Sequence, residues 1–300
     1  RRYASTGCRP AGGNSLVPSP QCHDRLMSMA WRHRRILMPW GRMSVQLTGE
    51  GPPLLLLHGL GGSGRYWVGL APSLASTRTL IAPDLAGFGR SDKPRVDYTR
   101  ELHLDTLDSL LSALHVEGSM DVAGHSMGGI LSALWARRRP AMVRSLAVIA
   151  SPFPREHLRP AGLRMTRSRG TVYRALQQLL PILSPLVRSA TYPREVIADY
   201  LRHTQESYRQ TSNALIWDPA AAVALAGLDV ALSGRPQLLL YSDEDTTIAA
   251  ESRERWRTLL PDADMVVIPG AHQLLLRDRF ATLADWYGAI AAPVRQPLPQ

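Results

Sequence analysis

Short apolar runs set off by glycine, proline and acidic joints dominate this chain. Runs of four or five apolar residues between turn residues are too short for helices and read as strands buried on both faces. They predict strands over Arg35–Pro39, Met43–Leu47, Leu54–His58, Thr79–Ala82, Met120–Gly124, Leu146–Ala150, Leu238–Tyr241 and Met265–Ile268. After the fifth the spacing becomes helical: Ile130–Arg139 reads as a helix that stops before Pro140. At Ser151-Pro152-Phe153-Pro154 the chain leaves the sheet, and no strand pattern returns until about Arg235. Within that interval Val172–Val187 and Glu195–Ile216 have helical spacing, the second with Val196, Tyr200, Thr204, Tyr208 and Thr211 on one face. Strands alternating with helices predict an α/β fold. The expected organisation is a core over 31–150 and 218–292, a helical insertion over 151–217, an extension over 1–30 and a tail over 293–300.

The fifth strand runs directly into Gly124-His125-Ser126-Met127-Gly128, a G-x-S-x-G sequence at a strand-to-helix turn. Such a turn lifts a serine hydroxyl above the sheet edge. The pattern also arises by chance in loops, so the partners matter. A serine hydroxyl is a poor nucleophile without a histidine base, itself oriented by a carboxylate. The strand ending at Tyr241 leads into Ser242-Asp243-Glu244-Asp245, and the last strand leads into Gly270-Ala271-His272.

In this order of Ser, Asp and His, the chain resembles the α/β-hydrolase family, in its group of small, cap-bearing serine hydrolases, from about Arg35 to Ile290. Two further segments carry the likeness. Leu54-Leu55-Leu56-Leu57-His58-Gly59-Leu60-Gly61-Gly62 is similar to the family's strand and oxyanion loop, and Asp84-Leu85-Ala86-Gly87-Phe88-Gly89-Arg90-Ser91-Asp92 to its second glycine-rich loop. The resemblance implies a mostly parallel sheet flanked by helices, with the 151–217 insertion as a helical cap that governs access. It implies Ser126 as nucleophile, His272 as general base and acid, Asp245 as orienting carboxylate, and the backbone N–H groups of Leu60 and Met127 as the oxyanion hole. Asp243 is the alternative acid. Ser242 and Ala271 stand where the family commonly has glycine.

Other conspicuous residues have structural readings. His58 is expected to be a hydrogen-bonded core histidine, and His125 to point away from the serine. Asp84 and Asp92 are expected to shape the Gly87–Ser91 turn, and Asp121 to be a strand-edge residue. Trp67 suits either the substrate pocket or the core.

Net charge is +10, but unevenly distributed: residues 1–35 carry seven arginines and one acid, and residues 151–217 carry ten arginines and four acids. Lys93 is the only lysine. No aromatic-interleaved basic stripe is present, so nucleic acid is not an expected partner. Arg155, Arg159, Arg164, Arg167, Arg169 and Arg174 crowd the start of the cap. They read as a solvated helix face first, and as a rim steering an anionic or carrier-bound acyl substrate second. The 1–30 composition is that of a disordered segment and suggests an over-extended or processed start; a basic arm for an acidic partner is the weaker reading. Both cysteines, Cys8 and Cys22, lie there, which leaves the core without thiolate chemistry. Histidine spacing suggests no metal site, and no cofactor is expected. No run approaches the roughly 20 apolar residues of a membrane span, and with no apolar leader after Arg1-Arg2 the expected compartment is the cytoplasm.

The expected activity is hydrolysis of a carboxylic ester, lactone or thioester through an acyl-enzyme on Ser126. Alternatives are cofactor-free perhydrolysis, carbon–carbon bond hydrolysis and a non-catalytic ligand-binding role. Dehalogenases and epoxide hydrolases of this fold need an aspartate nucleophile, and Ser126 argues against them. The sequence leaves oligomeric state open.

Overall fold

The computed structural model describes residues 31–154, 199, 202–272 and 280–290. Eight strands form one sheet: β1 (Arg32–Met38), β2 (Gly41–Thr48), β3 (Pro53–Leu57), β4 (Thr79–Pro83), β5 (Met120–His125), β6 (Val143–Ile149), β7 (Gln237–Ser242) and β8 (Asp264–Ile268). Their order is β1-β2-β4-β3-β5-β6-β7-β8. β2 runs antiparallel to both β1 and β4, and every later pairing is parallel. All eight predicted strands are present, with ends shifted by a few residues.

The helices are α1 (Ala71–Leu74), α2 (Arg100–Ala113), α3 (Met127–Arg138), α4 (Gln205–Ser212), α5 (Pro219–Ala224), α6 (Leu228–Ala231), α7 (Ala250–Leu259) and α8 (Ala281–Ala289). They explain why the central strands are apolar throughout. Leu55 and Leu57 of β3 face a core shared with Leu107, Leu111, Ile130 and Trp135 of α2 and α3. Leu54 and Leu56 face a second core built with Trp67, Leu70, Leu74, Leu283 and Tyr287. Successive side chains of a strand point to opposite faces, so a strand covered on both sides needs an unbroken apolar run. Trp67 is thereby a core residue, fully buried.

Two expectations are corrected. The helix predicted over Glu195–Ile216 is interrupted: Thr204 is an N-cap, its hydroxyl accepting the Ser207 amide while the Ser207 hydroxyl accepts the Thr204 amide, and α4 starts only at Gln205. A capping residue requires extended backbone, which ends any helix arriving from the N-terminal side. Asp121 is not a strand-edge residue exposed to water but lies fully buried at the base of β5. It accepts from Arg78 Nε (2.9 Å), Arg144 Nε (2.8 Å) and the Ser145 hydroxyl (2.6 Å), with a second Arg144 contact through Nη2. The predicted helix over 172–187, most of the 151–217 cap with its arginine run, the 1–30 extension and the 293–300 tail lie outside the described residues. Among the described residues no single helix is long and apolar enough to cross a membrane.

Candidate active site

The parallel strands deliver their loops to one edge of the sheet, and β3 and β5 meet there as neighbours. The chain leaves β3 toward β4 on one side, while β5 and its successors extend the sheet on the other. That reversal opens a crevice at the strand tips. Ser126 stands at the tip of β5 with φ 55 and ψ −122, the left-handed region a non-glycine residue seldom occupies. Holding it there costs on the order of 1–3 kcal/mol. Two contacts anchor it: the Ser126 amide donates to Ile149 O at 2.8 Å, and the Ser151 hydroxyl donates to Ser126 O at 2.8 Å.

The flanking glycines serve close approach rather than the bend itself. A Cβ on Gly124 would lie 2.0 Å from Gly128 O, and one on Gly128 would lie 2.3 Å from Leu57 O. Neither separation is possible, so only glycine lets α3 pack directly onto β5 and β3. The strained residue of the turn is the serine.

His272 and Asp245 arrive from the loops after β8 and β7. His272 Nδ1 is 2.9 Å from Asp245 Oδ2, and Nε2 is 3.1 Å from Ser126 Oγ. A carboxylate only accepts, so the imidazole carries its proton on Nδ1 and presents a lone pair at Nε2 to the serine hydroxyl. Asp245 Oδ1 accepts the Thr247 and Ile248 amides at 2.7 and 2.9 Å, which fixes the carboxylate plane. Burial raises the Asp245 pKa, but the His272 hydrogen bond and charge and these two amides outweigh it, and the net direction is down. The alternative acid, Asp243, is exposed and accepts the Gly270 amide at 3.0 Å; it does not reach His272.

The loop after β3 lies against the serine. A Cβ on Gly59 would come within 3.2 Å of Ser126 Cβ, so the loop passes over Ser126 with only a backbone's thickness to spare. Leu60 and Met127 follow Gly59 and Ser126, and neither amide donates to any acceptor among the described residues. Two uncommitted N–H groups beside a serine hydroxyl are what a developing oxyanion requires.

Three supporting residues escaped sequence reasoning as parts of the site. His125 does more than point away from Ser126: its Nε2 donates to the His272 carbonyl at 3.0 Å while its ring stacks on Tyr66 at 4.6 Å. Burial, then the neighbouring His272, drives its pKa down to about 3, so it remains a neutral donor. Ser242 donates to Ala271 O at 3.0 Å and ties the acid loop to the histidine loop. Asp199 is buried and accepts from the Ser63 hydroxyl at 3.0 Å, bracing the far end of the oxyanion loop. His125, by adjacency to Ser126, and Ser242, by standing where the family commonly has glycine, left a signal in the sequence; Asp199 left none.

The structural expectations hold elsewhere. His58 accepts the Leu85 amide at Nε2 (2.9 Å) and donates from Nδ1 to Gly59 O (2.8 Å). Asp84 accepts the Gly64 and Arg90 amides, both at 2.7 Å, which locks both glycine-rich loops to one carboxylate. The Asp92 carboxylate instead fastens the β1–β2 hairpin, through Arg35 (2.7 Å) and the Arg42 amide (2.9 Å).

A family model described as alpha/beta hydrolase fold matches residues 52–278. The chain belongs to the α/β-hydrolase family. An uncharacterized protein of Mycobacterium tuberculosis is 38% identical over 110 residues, 37% of this chain and 32% of that relative. This α/β-hydrolase chain therefore matches only about a third of that relative's length. A 2-hydroxymuconate semialdehyde hydrolase of a Pseudomonas species is 35% identical over 122 residues, 39% of this chain and 43% of the relative. Lipase 3 of a Moraxella species is 27% identical over 235 residues, 74% and 71% of the two chains. Among solved structures, the haloalkane dehalogenase DatA from Agrobacterium tumefaciens superposes with a TM-score of 0.70 at 20% identity, covering 87% of this chain and 96% of its own. The thioesterase domain from the curacin biosynthetic pathway gives 0.64 at 21% identity, covering 85% and 98%. At these identities the two structures speak to fold alone.

Proposed function

We propose that this family member is a serine hydrolase that cleaves a carboxylic ester, lactone or thioester through an acyl-enzyme on Ser126. The observation that carries the reading is the continuous Asp245–His272–Ser126 hydrogen-bond chain, ending on a hydroxyl held in a strained turn. In the first half-reaction His272 Nε2 takes the serine proton as Oγ attacks the acyl carbon. The carbonyl oxygen gains negative charge opposite the Leu60 and Met127 amides, and each such donor contributes on the order of 3 kcal/mol in the transition state. The imidazolium returns its proton to the departing alcohol or thiol. In the second half-reaction the same nitrogen deprotonates water, which releases the acid and regenerates Ser126. Asp245 balances the imidazolium charge throughout. The chemistry calls for neither metal nor organic cofactor. The proposed substrate is a small acyl compound, and the proposed specificity determinant is the 151–217 cap.

The test compares wild type with Ser126→Ala on p-nitrophenyl esters of increasing chain length, with a fluorophosphonate probe in parallel. Turnover and labelling should both disappear in the variant. A folded wild type that shows neither would overturn the reading. The similarity to 2-hydroxymuconate semialdehyde hydrolase favours one second reading, in which the same serine machinery acts on a ring-cleavage semialdehyde. Labelling without ester turnover, together with consumption of that semialdehyde, would select it.

A further inference from the structure

Beside the second glycine-rich loop, β1, the turn Gly89–Lys93 and the chain at Arg202–His203 border an open surface depression of about 750 Å³, lined by His33, Arg35, Arg90, Lys93, Arg202 and His203. It is separate from the serine site. Phe88 and His58 lie between them, with ring-centre distances of 6.0 Å from His203 to Phe88 and 5.9 Å from Phe88 to His58.

Four of the lining side chains are cationic, and Asp92, the carboxylate among the described lining residues, already has both oxygens engaged by Arg35 and by the Arg42 amide. The Arg90 main chain is pinned through Asp84, but its guanidinium has no hydrogen-bonding or ionic partner among the described residues. Lys93 Nζ donates to Gly89 O at 2.8 Å and Ser91 O at 2.6 Å, which anchors the turn and leaves its third N–H unused. Arg202 reaches Asp199 at 3.5 Å, a carboxylate it shares with Arg65 at 3.3 Å, so it is incompletely neutralised. Solvated surface arginines splay apart to reduce repulsion. Here Arg90, Lys93 and Arg202 line one concavity, and guanidinium forks match the oxygen geometry of phosphate. Burial pushes the Lys93 ammonium below its ordinary value, with Asp84 opposing, so an anion placed here would relieve an existing strain.

We propose that this pocket binds a phosphate-bearing anion, held chiefly by Arg90, Lys93 and Arg202. The proposal does not depend on the Ser126 reading. Its test is titration of pyrophosphate into the full chain by isothermal calorimetry at about 0.15 M salt, where loose surface attraction is largely screened. The expected result is one-to-one binding that weakens at least about tenfold in an Arg90→Gln, Arg202→Gln double variant. The single Arg90→Gln change removes a side chain with no partner among the described residues, so it should fold normally and still weaken binding. Arg257→Gln, which removes an exposed arginine from α7, deletes the same charge elsewhere and should leave binding intact. Absence of binding, or equal weakening by Arg257→Gln, would overturn the proposal. Once binding is established, KM for an acyl thioester of a phosphorylated thiol is compared with KM for its dephosphorylated counterpart. A lower value for the first marks the phosphate as part of a substrate arm; equal values mark a separate ligand.

Discussion

A buried carboxylate lies near each end of β5, Asp121 on the strand itself and Asp245 on the loop after β7, and the two are used in opposite ways. At the base, Asp121 faces the guanidiniums of Arg78 and Arg144, cations that never lose their charge. At the tip, Asp245 faces His272, whose charge the proposed reaction switches on and off. Asp121 is therefore a fixed structural element, compensated whether or not anything binds. Asp245 is compensated most fully when the imidazole is protonated, which in the proposed cycle is while the serine is attacking. What a buried carboxylate does depends on whether its partner's charge is permanent.

The largest expected effect comes from removing the proposed nucleophile at the tip of β5. Ser126→Ala should lower kcat for its best ester by about 10⁴- to 10⁶-fold while thermal stability holds or rises slightly, since alanine lacks the hydroxyl but keeps the turn. Loss of stability without loss of turnover would place the chemistry elsewhere.

The direct contrast is Asp245→Asn against Asp121→Asn. The first should reduce kcat about ten-thousand-fold with a small change in unfolding midpoint, because an amide in that place favours the wrong imidazole tautomer. The second leaves the buried Arg78 guanidinium and the half-buried Arg144 guanidinium uncompensated and should cost about 3–5 kcal/mol of stability, while the folded fraction keeps near-normal turnover. Denaturant unfolding and steady-state kinetics on both variants decide the matter; matching profiles would erase the distinction.

A smaller effect is expected at His125. Replacing it with Phe preserves the stacking on Tyr66 but deletes the hydrogen bond to the His272 carbonyl, so kcat should fall by about ten- to a hundredfold through misplacement of the base. Fluorophosphonate labelling should slow in parallel, and an unchanged labelling rate would confine His125 to packing.

A test independent of the serine chemistry is pH. Burial drives His103 and His203 down to about 4 and His125 to about 3, and lowers His58 as well. In the unfolded chain each would take a proton near pH 6.5. Stability from keeping them neutral is therefore fully present above that pH and declines as pH falls toward about 4, by about 1.4 kcal/mol per unit for each such histidine. The unfolding midpoint measured from pH 8 to 4 should drop across that window; a flat profile would contradict the burial argument.

The sequence made the sheet legible because strands covered on both faces leave unbroken apolar runs, such as Leu54–Leu57 and Leu238–Leu240. It made Ser126 and His272 legible because each follows such a run directly. Asp121 was not legible, since its partner Arg78 lies 43 residues away and nothing in β5 itself announces a cation across the sheet base. The break at Thr204 was hidden for a related reason: its polar side chain fits a helical face as well as it fits a cap. The proposed phosphate pocket draws on three separate segments, and only folding reveals that Arg35, Arg90 and Arg202 line the same depression.

The most direct test of the central claim is intact-protein mass spectrometry on wild type mixed rapidly with a p-nitrophenyl ester. The account predicts a transient mass increase equal to the acyl group, located by peptide mapping on Ser126 and absent from Ser126→Ala. An ester hydrolysed at full rate by wild type with no acyl adduct under rapid quench, and with equal turnover in Ser126→Ala, would contradict it.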